Sequence, residues 1–74
     1  MRISYDSEAD AAYIRLDANT EVGRVRESVS VEAPFLSTGD VVLDFDRDGQ
    51  LVGIEVLSAS RLLPSELLAS AERH

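Results

Sequence analysis

The chain has 74 residues, of which 45% are hydrophobic and 28% charged, so its composition is that of one small folded domain over residues 1–74. It carries 14 acidic and 7 basic side chains, and the resulting net charge of −7 argues against binding to nucleic acid. There is no cysteine, hence no disulfide or thiolate metal site, and no apolar run long enough to span a membrane. We expect a cytoplasmic protein with no membrane contact.

The first predicted element is a β-hairpin over residues 2–16. Both ends of this segment alternate apolar and polar side chains with the period of two that a half-buried strand requires. The polar stretch between them is rich in the short side chains that satisfy backbone groups in turns. Two registers stay open, in which Ile3 shares a face with either Ile14 or Tyr13.

A third strand is predicted over about residues 22–31. Val25, Val29 and Val31 have the spacing of one face of a strand in this segment. The chain around Pro34 is predicted to be a connection, because proline cannot donate a hydrogen bond to a sheet.

A second hairpin is predicted over residues 41–57, with Asp46, Asp48 and Gly49 in its turn. We expect a three-residue loop with Gly49 in the left-handed conformation, closing a bulge. Both alternating sets of side chains in this hairpin are apolar, which is typical of strands that are covered on both faces. One short chain can hardly supply that cover, so the pattern predicts a homo-oligomer, with a dimer favoured. The alternative is that the loops and the helix suffice.

A short C-terminal helix is predicted over about residues 64–72, with Pro64 in its first turn. The leucines in and before this helix are candidate interface residues. They are Leu62, Leu63, Leu67 and Leu68. The predicted fold class is α+β, with antiparallel hairpins forming a small meander-like sheet and one short helix.

The second hairpin also matches a calcium-binding pattern. Residues 44–55 fit the EF-hand loop D-x-D-x-D-G-x5-E at every required position. However, a proline and β-branched residues precede the loop where an EF-hand needs a helix. In a hairpin, Asp44 is expected opposite Val52, which leaves Glu55 three residues further along the strand. We therefore predict no metal site, although Asp44, Asp46, Asp48 and Glu55 are the candidate ligands.

No catalytic group stands out in the sequence. The only histidine is His74, the last residue, and the chain has neither cysteine nor lysine. A serine nucleophile would have no recognisable activating base. We predict no catalytic residue, no cofactor and no enzymatic activity.

Two blocks of sequence suggest a family. The first is Tyr5-Asp6, then Glu8 and residues 10–14, and the second is residues 42–46 and 49–57 with Ala59-Ser60. Together they resemble the bacterial family catalogued as domain of unknown function 2283, over nearly the whole chain. The resemblance implies a small β-rich domain and brings no catalytic residue with it. It also implies roles for Asp6, Asp10, Asp44 and Glu55, either as hydrogen-bonding anchors of turns and strand ends or in a ligand-facing patch beside Arg15.

Three functions follow as hypotheses. The leading one is a homo-oligomeric structural or protein-interaction module. The second is binding of a small ligand or a divalent cation by carboxylates at the hairpin turns, whose predicted structural residues are Asp6, Asp10, Asp46, Asp48 and Gly49. The third is a regulatory, antitoxin-like role, in which the acidic chain binds a basic protein.

Overall fold

The computed structural model of the chain describes residues 1–16, 24–31 and 39–73, which form a six-stranded sheet with two short helices. The strands are β1 (Arg2–Asp6), β2 (Ala11–Arg15), β3 (Glu27–Val31), β4 (Asp40–Phe45), β5 (Leu51–Leu57) and β6 (Glu72–Arg73), and the helices are α1 (Ala59–Leu62) and α2 (Ser65–Ser70). The class is α+β. Neither helix in these ranges is long and apolar enough to cross a membrane.

The order of the strands in the sheet is β3-β4-β5-β2-β1-β6. Neighbouring strands are antiparallel, except that β6 runs parallel to β1. The predicted meander is therefore wrong, because β2 pairs with β5 and not with β3. The reason is that β5 carries apolar residues on both faces, and such a strand is most stable at the centre of a sheet.

The prediction of a single helix is also wrong. Helix α1 occupies a stretch that the sequence pattern treats as a connection, and it begins after Ser58, whose φ of 58° turns the chain sharply. Helix α2 ends at Ser70, before the predicted end at residue 72. Ala71 is extended, and the two residues that follow it pair with β1 as β6.

Strand β3 is shorter than the strand predicted over about residues 22–31. Residues 24–26 are described but lie outside any strand, and residues 22 and 23 are outside the described ranges. The predicted connection around Pro34 and the terminal His74 also lie outside them.

One face of the sheet is apolar. Cross-strand partners share a face, and two rows of partners cross five strands on this side. The rows are Val29, Leu43, Ile54, Ile14 and Ile3, and then Val31, Val41, Val56, Ala12 and Tyr5. The pairing of Ile3 with Ile14 decides between the two registers left open for the first hairpin.

The two helices cover only part of this apolar face. Ala59 of α1 and Leu68 of α2 form the buried core with Ala12 of β2 and Val56 of β5. Residues of β3 are absent from this core cluster, and all five of its residues are exposed. The core therefore lies towards one side of the sheet, and β3 lies at the other.

Candidate functional site

The opposite face of the sheet is polar. Its cross-strand rows are Ser28, Asp44, Gly53, Arg15 and Arg2, and then Ser30, Val42, Glu55, Tyr13 and Ser4. These rows contain the carboxylates, arginines and hydroxyl groups that could form a site. The contacts that each of them makes decide what the face can do.

Asp44 is the buried acceptor at the centre of the polar face, with a relative exposure of 9%. Tyr13 Oη donates to its Oδ2 at 2.8 Å, and Ser28 Oγ donates to its Oδ1 at 2.7 Å. The three residues belong to β2, β4 and β3, so the hydrogen bonds connect strands that are far apart in the sequence. Both carboxylate oxygens thus have a donor from the chain itself.

Gly53 allows this contact to form. It lies opposite Asp44 on β5, and the Tyr13 ring covers it so closely that a Cβ at position 53 would overlap with Tyr13 Oη and Cζ. An isolated glycine inside an apolar strand often marks such a close approach. Glycine is favoured at position 53 because any larger residue would displace the Tyr13 ring.

Tyr13 holds its proton tightly. Burial, the hydrogen bond to Asp44 and the negative charge of that carboxylate together raise the pKa of Tyr13 to about 12. The Arg15 guanidinium, with its carbon 5.7 Å from the ring centroid, acts in the opposite direction on the Tyr13 pKa. At neutral pH the phenol is thus a hydrogen-bond donor and not a general base.

A second carboxylate, Asp10, connects the first hairpin to helix α1. Its Oδ1 accepts hydrogen bonds from Tyr5 Oη at 2.7 Å and from the Ser60 backbone N–H at 3.0 Å. Its Oδ2 accepts from Ser60 Oγ at 2.7 Å, and its backbone carbonyl accepts from the Ala59 N–H at 2.9 Å. The Tyr5 hydroxyl, followed by the Ser60 hydroxyl, lowers the pKa of Asp10. Asp10 thus fixes the start of α1 from 50 residues away.

Asp6 begins the turn between β1 and β2. Its Oδ1 accepts from the backbone N–H groups of Glu8 at 3.0 Å and Ala9 at 3.4 Å. This is the local pattern by which aspartate stabilises turns. The chain then passes through Asp10, whose φ of 52° is left-handed.

Asp46 organises the turn between β4 and β5, and its relative exposure is only 5%. Its Oδ1 accepts from the backbone N–H groups of Asp48 at 2.9 Å and Gln50 at 3.0 Å, and Arg24 Nη2 lies 3.3 Å from its Oδ2. The N–H of Gln50 is the largest contribution to the lowered pKa of Asp46. Gly49 has a φ of 78°, the left-handed conformation predicted for it, and its N–H bonds the Asp46 carbonyl.

The calcium-ligand candidates are spread along this hairpin. Asp44 lies opposite Gly53, so the predicted pairing with Val52 is wrong by one residue, because the pairing of β4 with β5 has a bulge after Asp44. Glu55 lies opposite Val42 on one side and Tyr13 on the other. Within the described ranges, no three histidine, cysteine or acidic residues are grouped so that they could hold a metal ion.

The candidate interface leucines contact the core of their own chain. Leu68 is buried, and Leu62 and Leu63 are partly buried and pack against the same core cluster. Leu67 is half-buried. Three of the four side chains thus serve internal packing, and the more exposed apolar surface is elsewhere.

That surface is at β3. Val29 is 47% exposed and Val31 36%, and Val25, just before the strand, is 41% exposed. In the described part of the chain, β3 has β4 as its one neighbour in the sheet. An edge strand of this kind presents unpaired backbone groups beside apolar side chains, which is a surface suited to pairing with another strand.

Comparison with known proteins adds a family. The family model described as protein of unknown function (DUF2283) matches residues 2–60, which is most of the chain. The chain belongs to the DUF2283 family. Searches of curated proteins and of solved structures found no match. Membership in DUF2283 therefore brings no activity to this chain.

The DUF2283 match ends at Ser60, the residue that donates to Asp10. It thus includes both tyrosine–carboxylate contacts and leaves α2 and β6 outside. The matched carboxylates whose contacts are described above each accept hydrogen bonds from hydroxyl or backbone groups of the same chain. They are Asp6, Asp10, Asp44 and Asp46. This arrangement corresponds to anchors of turns and strands more than to a ligand-facing patch.

Sequence reasoning missed the contacts of Tyr13 with Asp44 and of Asp10 with Ser60. Gly53, alone within an apolar strand, is the one feature that could have indicated the first contact. Arg15, expected beside the carboxylates, contacts the ring of Tyr13.

Proposed function

We propose that this DUF2283 protein is a protein-interaction module without catalytic activity, and that two copies associate through β3. The observation that carries the proposal is that β3 is at the edge of the sheet formed by the described strands and that its five residues are all exposed. Two of these residues are valines on the apolar face of the sheet. A partner strand would cover both the valines and the open backbone edge.

A twofold axis at Ser30 gives a pairing that suits the side chains. In an antiparallel arrangement about that axis, Val29 of one copy lies opposite Val31 of the other. The apolar rows of the two sheets then become continuous across the interface. Glu27 of one copy does not lie opposite Glu27 of the other copy, so the pairing avoids a direct contact between these like charges.

The absence of catalysis is part of the proposal and rests on how the polar groups are used. Asp10, Asp44 and Asp46 accept hydrogen bonds from the chain on both carboxylate oxygens. Cation binding at the turns has less support for the same reason, since a metal would have to displace these donors. An antitoxin-like association with a basic protein stays an alternative, supported by the net charge of −7 alone.

The experiment is to measure molar mass by light scattering after gel filtration across the micromolar range. We expect the wild-type mass to approach twice the chain mass of 8.1 kDa as concentration rises. The variant Val29→Lys places a charge on the edge strand, a device that prevents strand pairing, and should stay monomeric.

A matched control is Leu16→Lys, because Leu16 is 39% exposed but lies at the end of β2, away from the β3 edge. It should associate as the wild type does. A folded wild-type monomer at every concentration, or a Val29→Lys protein with the mass of a dimer, would refute the proposal. If the chain stayed monomeric by itself and formed a heavier complex only with a basic protein, the antitoxin-like role would be favoured.

A further inference from the structure

A concave, arginine-rich patch lies at the other side of the sheet, where β2, β1 and β6 adjoin. It encloses about 230 Å³. Its lining residues are Arg2, Ser4, Arg15, Glu72 and Arg73. Three of the seven basic residues of an acidic chain thus line one small cleft.

Two of these arginines are direct cross-strand partners. Arg2 of β1 pairs with Arg15 of β2, so both side chains leave the same polar face. Like charges directly opposite each other destabilise a sheet, and an anion bound beside them would offset that repulsion. On its other side Arg15 is paired with Gly53, which is covered by the Tyr13 ring and places no charged side chain beside Arg15.

The carboxylate that lines the cleft, Glu72, is paired with Arg2. Glu72 binds Arg2 through both oxygens, with Nε to Oε2 at 2.9 Å and Nη2 to Oε1 at 2.7 Å. Among the described residues, Arg15 contacts the Tyr13 ring and no carboxylate. Arg73 is the cross-strand partner of Tyr5 and lies over its ring, 5.3 Å from the centroid, so its guanidinium is on the apolar side of the sheet. Aromatic contacts of this kind orient a guanidinium without neutralising it.

We propose that this cleft binds a phosphate group, either as free phosphate or as part of a small phosphomonoester. The Arg15 guanidinium would donate to two phosphate oxygens, because its planar fork matches that geometry. Ser4, which also lines the cleft, would add a hydroxyl donor, and Arg2 would add charge. A phosphate group offers more acceptor oxygens than a carboxylate, so it can reach all three donors at once.

The size of the cleft limits the ligand. Pockets for drug-sized molecules usually exceed about 300 Å³, and this cleft is smaller and open to solvent. A phosphate group with a short attached chain fits this volume better than a nucleotide does. The site is at the opposite edge of the sheet from β3, so its occupancy is independent of the proposed dimer.

The test is a titration of ¹⁵N-labelled protein, followed by NMR, with inorganic phosphate and with glycerol phosphate at constant ionic strength. We expect saturable shifts confined to the backbone signals of the cleft residues. Tighter binding of glycerol phosphate would identify a phosphomonoester as the ligand, and equal binding would show that the phosphate group alone is recognised.

Three variants make the test specific. Arg15→Gln should weaken binding by about tenfold or more, since it removes a charged double donor. Glu72→Gln should tighten binding, because it removes the competing anion, and a merely structural role for the cleft would not produce this gain. Arg47→Gln, an exposed arginine in the β4–β5 turn, is the control and should bind as the wild type does.

Two results would overturn the proposal. One is a shift that grows linearly with phosphate and is matched by chloride at the same ionic strength. The other is unchanged affinity in both Arg15→Gln and Glu72→Gln, with spectra that show a folded sheet.

Discussion

Tyr13 and Asp44 are 31 residues apart in the sequence and lie on strands that are not neighbours, yet they share a hydrogen bond of 2.8 Å. The tyrosine ring crosses the strand between them at Gly53. Ser28 extends the connection to the edge strand through the other oxygen of Asp44. The polar face of the sheet is thus held together by side chains across four strands.

The first prediction concerns this hydrogen bond. Tyr13→Phe removes the hydroxyl donor from a buried carboxylate, and we expect the free energy of unfolding to fall by about 1.5–3 kcal/mol. Ser28→Ala removes the donor from the other oxygen of Asp44 at an exposed position, where water can replace it, so its effect should be smaller. Urea unfolding followed by circular dichroism measures both. Equal stability of Tyr13→Phe and wild type would contradict the structural role of the contact.

The second prediction concerns Gly53. Gly53→Ala forces the Tyr13 ring away from β5, and we expect a loss of about 1–3 kcal/mol, as for other overpacked sites. The same substitution in a Tyr13→Val background should cost much less, because the overlapping atoms are gone. A double-mutant cycle from urea unfolding gives the coupling between the two positions. Additive effects would show that the ring does not depend on the glycine.

The third prediction is a dependence of stability on alkaline pH. The pKa of Tyr13 is raised from 10.0 to about 12 in the folded chain, so the folded state keeps a proton that the unfolded state loses. The resulting stabilisation is fully present below pH 10 and is lost as pH rises through about 12.

We expect the free energy of unfolding to fall by about 1–2 kcal/mol over that interval, after allowance for solvent screening. Tyr13→Phe should have a flatter profile, with a residual slope from Tyr5, whose pKa is also raised by its hydrogen bond to Asp10. Urea midpoints at a series of pH values, with tyrosinate absorbance as an independent record, provide the measurement. Parallel profiles for the two proteins would count against the assignment.

The fourth prediction separates the two roles of Asp10, which anchors Ser60 and adopts a left-handed φ of 52°. Asp10→Asn keeps an acceptor and tolerates that backbone conformation, so it should be the mildest change. Asp10→Gly keeps the conformation but loses the anchor, and Asp10→Ala loses both.

We expect stability to decrease in the order asparagine, glycine, alanine, with about 1 kcal/mol or more separating the last two. Thermal and urea unfolding give the ranking. If alanine proved as stable as asparagine, neither the anchor nor the backbone conformation would matter at this position.

The parts of the fold that sequence predicts well are those determined by neighbouring residues. The turn between β4 and β5 is an example, because the Asp46 carboxylate, the loop and the left-handed Gly49 lie within five consecutive residues. The residues that determine such a turn are close together in the chain, so the turn can be recognised from the sequence.

The parts that sequence predicts poorly depend on distant residues. Helix α1 has four residues and no side-chain cap of its own, and its start is held by Asp10, which the sequence places in another hairpin. Strand β6 has two residues and exists through its pairing with β1. Neither segment carries a periodic pattern long enough to be recognised, because tertiary contacts override local preference.

The crossing of Tyr13 over Gly53 also has an evolutionary consequence. A mutation that enlarges position 53 is less costly once the tyrosine has been replaced by something shorter, and a tyrosine at position 13 packs best above a glycine. Asp44 shares this dependence, since its carboxylate loses a donor whenever the phenol is lost. Among relatives of this chain, we expect the residues at positions 13, 44 and 53 to vary together. A relative that lacks one of these three residues should also lack the other two.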